Sequence, residues 1–583
     1  MAADRTDQGP CPGRGRDWRG RALDAGRGGG SRTGGLPGHA DAGPVVRSPD
    51  PGRPDGRRSR AGQFVLPHRL RHRGPEHGPG SRRHSASRGL VRWIGGALLV
   101  AALALGAPAL ADPVRARTTS GVLVGERRAD GGVAFLGVPF ARPPVGERRW
   151  KPPQSVAAWS GERAASASGP ACLQTSRGWN AADAARASED CLYLDVRSPS
   201  HAPGAKLPVM VWVHGGANHA GSGAGTVESS LVDQGVVLVS VQYRLGVFGF
   251  LSHPDLTREQ GGASGNYALM DILAALGWVR DNIAGFGGDP ANVTLFGHSA
   301  GGQDAGLVML SPRGRELAAR GILQSGMPGF GFPPRSLRQN EAIGEDLARR
   351  VGARSLGDLR RISGDDLLKA ADDLTAPLDD QGFIWTQAVV DGAVLPKAPE
   401  ALLADPGVKP MIVGSSAREI ALFGGEPERA RIWASQAFGT RAPQVLAAYG
   451  LDRDPPAAAD PVRGDAVMQL ATDRMFRCPA ATTARLRHAA GGRIWRYELD
   501  VAAPGQAAVS HGSELTYVFD RPVEGRPPMQ AYWAAFARTG DPNGPGLPPW
   551  PAESGAGERL VFAAAGPRAQ KGQETNCRFH TRP

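Results

Sequence analysis

Three nearly unbroken apolar stretches stand out in a chain otherwise cut by glycine and proline: Val209-Met-Val-Trp-Val213, Val236-Val-Leu-Val-Ser-Val241 and Val293-Thr-Leu-Phe296. A strand with one wet face alternates apolar and polar residues. These do not, so they read as strands buried on both faces, the signature of a parallel sheet. Tyr267 to Ile283 reads as an amphipathic helix, and Gln303 to Leu310 is compatible with one. Ile322–Gln324, Pro410–Val413 and Ile494–Leu499 supply further strands. Strands alternating with helices predict an α/β fold, a mostly parallel sheet with helices on both faces. No internal repeat interrupts the pattern.

The run ending at Phe296 passes directly into Gly297-His298-Ser299-Ala300-Gly301, and the helical stretch follows. This is strand, tight turn and helix with a G-x-S-x-G nucleophile elbow at the joint. A strand that reverses into a helix within a few residues crowds its own backbone, so glycine is needed on both sides of the serine. The pentapeptide alone is a weak signal. With 81 glycines in the chain, chance would supply roughly half to one such match, and a plain glycine-rich turn is the alternative. Context separates the two.

A nucleophilic hydroxyl needs a base, and the base needs an orienting carboxylate. In this architecture the chain order is serine, acid, histidine. Two histidines fit, His488 and His511. His488 sits in the Arg-flanked run Ala481–Ala489, an exposed helix face, whereas His511 follows a loop beyond strand Ile494–Leu499, where such sites assemble. For the acid, Glu419 lies just past strand Pro410–Val413; its rival Asp391 belongs to an Asp-Gly pair of the kind that builds turns. Strand Val209–Val213 ends in His214-Gly215-Gly216-Ala217-Asn218. Placed beside the elbow, the backbone N–H groups of Gly216 and Ala217, with that of Ala300, could receive a developing oxyanion; a plain strand-exit turn is the alternative.

Charge changes the picture at one end only. The 583-residue chain carries 68 Lys plus Arg against 56 Asp plus Glu, net +12; residues 1–111 hold 19 Arg, no Lys and 8 acidic residues, so +11 of it lies there and +1 remains for 112–583. The body therefore offers no nucleic-acid surface. Residues 1–87, rich in Arg, Gly and Pro, cannot bury a core. They read as a segment upstream of the working protein, with a start codon between Val65 and Val91, or as a disordered basic arm for nucleic acid or an anionic surface. Residues 88–111 have the layout of a secretory signal peptide: Arg88 and Arg92, the apolar run Trp93–Leu105, then Ala109-Leu110-Ala111 with cleavage after Ala111. The run is too short for stable membrane insertion. Export to a secreted or periplasmic location follows, with 112–583 as one catalytic domain.

Taken together the body resembles the type B carboxylesterases of the α/β-hydrolase fold, a family that includes cholinesterases and bacterial para-nitrobenzyl esterases. The likeness runs through Phe135-Leu-Gly-Val-Pro-Phe140, Glu189-Asp-Cys-Leu-Tyr-Leu-Asp-Val196, Tyr243-Arg-Leu-Gly-Val-Phe-Gly-Phe-Leu251, Phe286-Gly-Gly-Asp-Pro290, Ile322-Leu-Gln-Ser-Gly326 and Phe536-Ala-Arg-Thr-Gly-Asp-Pro-Asn543. The resemblance implies Ser299 as nucleophile, Glu419 as acid and His511 as base. It implies Gly216, Ala217 and Ala300 as oxyanion donors and Ser325 as a hydrogen-bonding neighbour of the triad. It further implies disulfides Cys172–Cys191 and Cys478–Cys577, which suit an oxidising compartment; Cys11 falls in the leader. A small-molecule ester is then the substrate, with no cofactor and no metal. A catalytically silent adhesion or binding protein on the same fold is the alternative reading. Acyl and alcohol preference are set by loops such as Met327–Pro334 and Ala421–Gly425, and these and the oligomeric state are not specified by the pattern.

Three residues depart from the family: Ala217 replaces a third glycine, Ile420 replaces the glycine after the acid, and His298 stands where many relatives have Glu. Trp179 lies near the cation-binding tryptophan of cholinesterases, but a longer intervening segment favours a buried packing role. The Ala217 methyl should crowd bulky tertiary alcohols. Ala217→Gly is expected to raise the rate on tert-butyl acetate relative to ethyl acetate; equal selectivity in both proteins would remove the idea.

Overall fold

A computed structural model of the chain describes residues 113–580, apart from 203, 330, 332, 373, 375–386, 421–424 and 573. The leader 1–87, the signal-like segment 88–111 and most of the Ala421–Gly425 loop lie outside the described residues. The strands are β1 Pro113–Thr118, β2 Gly121–Arg127, β3 Val133–Pro139, β4 Glu162–Ala164, β5 Tyr193–Ser198, β6 Leu207–Val213, β7 Val237–Val241 and β8 Gly288–His298. They continue with β9 Arg320–Gln324, β10 Arg335–Ser336, β11 Val389–Val390, β12 Met411–Ser416, β13 Ile494–Leu499, β14 Arg559–Ala563 and β15 Gly566–Gln570.

One 13-stranded sheet runs β1-β2-β3-β5-β7-β6-β8-β9-β12-β13-β14-β15, with β4 beside β2. From β7 to β14 every pairing is parallel, while the rims are antiparallel apart from the parallel β2–β4 pair. The parallel centre is what the apolar runs predict. Each expected strand is present, β9 and β12 being longer than their apolar cores suggest because Arg320 and Ser415–Ser416 continue the ladders. The expected helix Tyr267–Ile283 spans Tyr267–Asn282, and the elbow helix starts earlier than expected, at Ala300.

β6 shows why these strands read as continuously apolar. Val209, Val211 and Val213 enter the core that also holds helix Tyr267–Asn282, while Met210 and Trp212 enter the opposite core with Tyr532, Trp533 and Trp550. Period-two alternation persists, but both faces are dry.

The chain leaves β6 toward β7 on one side and returns to β8 on the other. β6 and β8 are thus neighbours whose onward connections run to opposite sides, the crevice where open α/β sheets bind ligands. Val213 pairs with Gly297, so the loop after β6 and the elbow after β8 leave the sheet side by side. β9, β12 and β13 lie next in order and end at the same edge.

Both disulfides are formed: Cys172–Cys191 spans 19 positions and Cys478–Cys577 spans 99. In the loop-entropy model they contribute about 3 and about 4–5 kcal/mol. Among the described residues no helix is long and apolar enough to cross a membrane.

Candidate active site

β8 ends at His298 and the next helix begins at Ala300, which leaves Ser299 alone in the turn at φ 58°, ψ −130°. The flanking glycines are sterically required. A Cβ at position 297 would stand 2.4 Å from the carbonyl of Gly301, and one at 301 would stand 2.3 Å from that of Val213. The β6 exit loop packs on this elbow: a Cβ at Gly215 would come 2.7 Å from the carbonyl of His298 and 3.0 Å from Ser299 Cβ. Gly216 and Ala217 follow Gly215 in the loop that lies against the elbow, and Ala300 opens a helix whose first N–H groups have no intrahelical acceptor.

Six non-glycine residues among those described have positive φ, and four of them are here: Ala217 (56°), Asn218 (60°), Ser299 (58°) and Ser325 (47°). Each such conformation costs on the order of 1–3 kcal/mol and persists only when its surroundings over-determine it. Strain is concentrated where β6, β8 and β9 end.

The acid and base candidates meet. His511 Nδ1 lies 2.6 Å from Glu419 Oε2. Glu419 is buried, and its other oxygen accepts from Ser416 N (2.7 Å) and Ser325 Oγ (2.7 Å). Its own N–H donates to Thr472 Oγ1 at 3.2 Å. The His511 ring is held between Phe476 (5.1 Å between centroids) and His298 (4.4 Å), the residue that precedes Ser299. Phe476 belongs to a π-turn, Asp473–Arg477, inside the helical stretch from Ala466 to Ala489. Arg477 in that turn donates to the carbonyl of Ala417, two residues before the acid. Ile420, which replaces the family's glycine after the acid, packs on the Met475–Phe476 cluster.

Burial pulls the His511 imidazole down, but the charge and hydrogen bond of Glu419, with the charge of Glu514, outweigh it and set it above 6.5. Its neighbour His298 is driven well below 6.5, first by burial and then by His511, so the departure at 298 places a neutral ring there.

Glu514 is a residue that the sequence reasoning passed over. It is fully buried, and its Oε1 lies 3.0 Å from Ser325 Oγ and 3.8 Å from His298 Nε2. Burial, then the charge of Glu419, push it up to about 7. Ser325 Oγ reaches both carboxyl groups, which lie close enough to disfavour two negative charges. The only sequence signal was an acid three positions after His511, which reads as an ordinary first-turn residue of helix Ser513–Phe519.

The rival residues are elsewhere. Asp391 Oδ1 accepts from Ala393 N (3.0 Å) and Leu395 N (2.9 Å), the turn-building role expected of Asp-Gly. His488 lies on helix Cys478–Ala489 but is half-buried rather than exposed. Trp179 overturns its expected buried role: it is 38% exposed, and a Cβ at Gly216 would stand 3.3 Å from its ring. Asn180 takes the buried place instead, donating to Gln174 Oε1 (2.8 Å) and the carbonyl of Thr175 (2.9 Å), and this turns the indole outward over the β6 exit loop.

Known proteins carry the same organisation. Residues 112–580 match the Carboxylesterase family. A fumonisin B1 esterase of Sphingopyxis macrogoltabida is 35% identical over 79% of this chain and 89% of its own length. Liver carboxylesterase 1 of Oryctolagus cuniculus is 32% identical over 82% of this chain and 93% of its own. Among solved structures, a Geobacillus stearothermophilus carboxylesterase superposes with TM-score 0.68 at 32% identity, covering 80% of this chain and all of that one. A PNB esterase gives 0.67 at 29%, covering 80% of this chain and 98% of that one. The chain belongs to the carboxylesterase family and is a carboxylic ester hydrolase of the α/β-hydrolase fold, acting on small-molecule esters.

Proposed function

We propose that this esterase works through an acyl-enzyme formed on Ser299, with His511 as general base and Glu419 as the acid that orients it. The buried 2.6 Å contact between His511 and Glu419 beside the elbow is the observation that carries this reading. His511 takes the hydroxyl proton as Ser299 Oγ attacks the ester carbonyl. The N–H groups of Gly216, Ala217 and Ala300 receive the oxyanion, each worth about 3–4 kcal/mol in comparable sites. The C–O bond breaks and His511 returns the proton to the departing alcohol. Water then repeats the sequence on the acyl carbonyl and releases the acid. Glu419 holds the imidazole in the tautomer this needs.

We also infer that residues 88–111 export the protein, that 1–87 play no part in catalysis and that 112–583 is the working domain. The two disulfides support an oxidising destination.

Ser299 is expected to be the residue that a fluorophosphonate labels. Ser299→Ala should abolish labelling and lower kcat on the order of a millionfold; a Ser299→Ala protein that still labels and turns over ester overturns the assignment. A silent binding protein would not label at all.

Because only neutral His511 can accept the proton and its pKa lies above 6.5, kcat/KM should fall as pH is lowered, with a midpoint above 6.5. A profile flat down to pH about 5 contradicts the role of His511.

Expressed from its own leader in a host that exports it, the protein should begin at Asp112. N-terminal sequencing that finds an intact leader on the exported form would refute the processing site.

A further inference from the structure

The turn that carries Glu419 is held by its backbone as well as by its side chain. It leaves β12 at Ser416, and the peptide groups of Ala417 and Glu419 go to different parts of the fold. Ala417 N donates to the carbonyl of Leu499 at 2.7 Å, which extends the β12–β13 ladder. The Ala417 carbonyl accepts from the guanidinium of Arg477. Glu419 N donates to Thr472 Oγ1 at 3.2 Å, and the Glu419 carbonyl accepts from His511 N at 3.3 Å. Two of these bonds, those of Thr472 and Arg477, come from the helical stretch Ala466–Ala489, which the reaction above does not use.

Thr472 and Arg477 stand five positions apart. In an uninterrupted α-helix of about 3.6 residues per turn, such residues point about 140° apart and lie on different faces. Here the N–H of Cys478 reaches back to the carbonyl of Asp473, five positions instead of four. The wider turn takes up part of that rotation and brings both side chains toward the same loop.

Arg477 is itself fixed. Its Nη1 donates to Asp473, whose other oxygen accepts from the Tyr449 hydroxyl at 2.7 Å, and its Nε lies 3.8 Å from Glu498 of β13. The guanidinium is buried between these two acids, so its aim at Ala417 is set from two sides. Thr472 is fully buried as well.

We propose that Thr472 and Arg477 are positioning residues that clamp the backbone of the acid's turn and so fix the Glu419 carboxylate against His511. The proposal rests on Glu419 being the acid that orients His511. Both residues act through the place they give Glu419. A turn released at either point lets the carboxylate swing off the imidazole, and a misplacement of about 1 Å costs up to about a hundredfold in rate.

The titratable groups facing His511 are Glu419, Glu514 of helix Ser513–Phe519 and His298 at the end of β8; Tyr497 of β13 lies beside Glu514 at 3.5 Å. Burial pulls the His511 imidazole down, and Glu419, with Glu514, sets it above its ordinary value. A Glu419 that has moved off therefore leaves His511 with a lower pKa. The acid limb of kcat/KM should then move to lower pH while the plateau falls.

The test compares wild type with Thr472→Val, Thr472→Ser and Arg477→Lys on one ester. Rates are expressed per site titrated with a fluorophosphonate, so that misfolded protein does not count. Valine keeps the shape of threonine but leaves the Glu419 N–H without its acceptor, and serine returns it. Lysine keeps the charge beside Asp473 but lacks the fork that reaches Ala417 as well. Thr472→Val and Arg477→Lys should each lower kcat on the order of tenfold with a smaller change in KM. Each should also move the acid limb roughly half a pH unit toward acid. Thr472→Ser should stand within about twofold of wild type. A wild-type kcat and acid limb in Thr472→Val overturn the proposal. So does a lowered kcat with the limb in place, as a merely structural role would give, or a Thr472→Ser protein no better than Thr472→Val. Should Arg477→Lys fail to fold, the two threonine variants decide. Glu419→Gln, expected to lose on the order of a thousandfold or more, tests the reading beneath. If it keeps the wild-type rate, Glu419 is not the orienting acid, a failure distinct from that of the clamp.

Discussion

The register of β6 against β8 is the constraint on which the site depends. Val213 opposite Gly297 makes the two strands leave the sheet in step, and the loop on one side then meets the turn on the other at van der Waals contact. Neither segment alone makes this contact. A slip of one residue would turn every valine of β6 to the wrong core and separate the loop from the elbow together. The dry packing on both faces, which made these strands easy to see, also makes the register costly to change.

A second constraint is electrostatic. Two carboxyl groups, Glu419 and Glu514, are buried around one serine hydroxyl, beside two imidazoles. Two buried carboxyl groups held this close disfavour ionising together. Glu419 meets His511 at 2.6 Å and accepts from Ser416 N at 2.7 Å, whereas Glu514 stands 3.8 Å from His298. The asymmetry between two chemically similar groups comes from geometry.

Much of this was legible beforehand, because the strand–turn–helix joint at Ser299 combines three signals that reinforce one another. Dry strands show as apolar runs, crowded turns show as paired glycines, and chain order restricts the acid and base to a few positions. What stayed hidden depends on contacts between distant segments. Glu514 looks like an ordinary helix acid until its burial is known. The π-turn Asp473–Arg477 leaves no compositional trace, although it supplies the face on which the His511 ring rests. Trp179 was misjudged for a related reason: hydrophobicity places an indole inside by default, and only the hydrogen bonds of Asn180 show which of two adjacent residues takes the interior site. The strand β4 left no signal because it is three residues long and wholly exposed.

The Cys478–Cys577 bridge has a consequence for synthesis. Cys478 follows the π-turn directly, so the wall behind the imidazole is fastened to a segment near the end of the chain. A ribosome that has released the elbow, and even residue 511, has still not released the tether. The serine, the imidazole and the π-turn all precede Cys577, so the bridge behind the imidazole can close only after every one of them has been made.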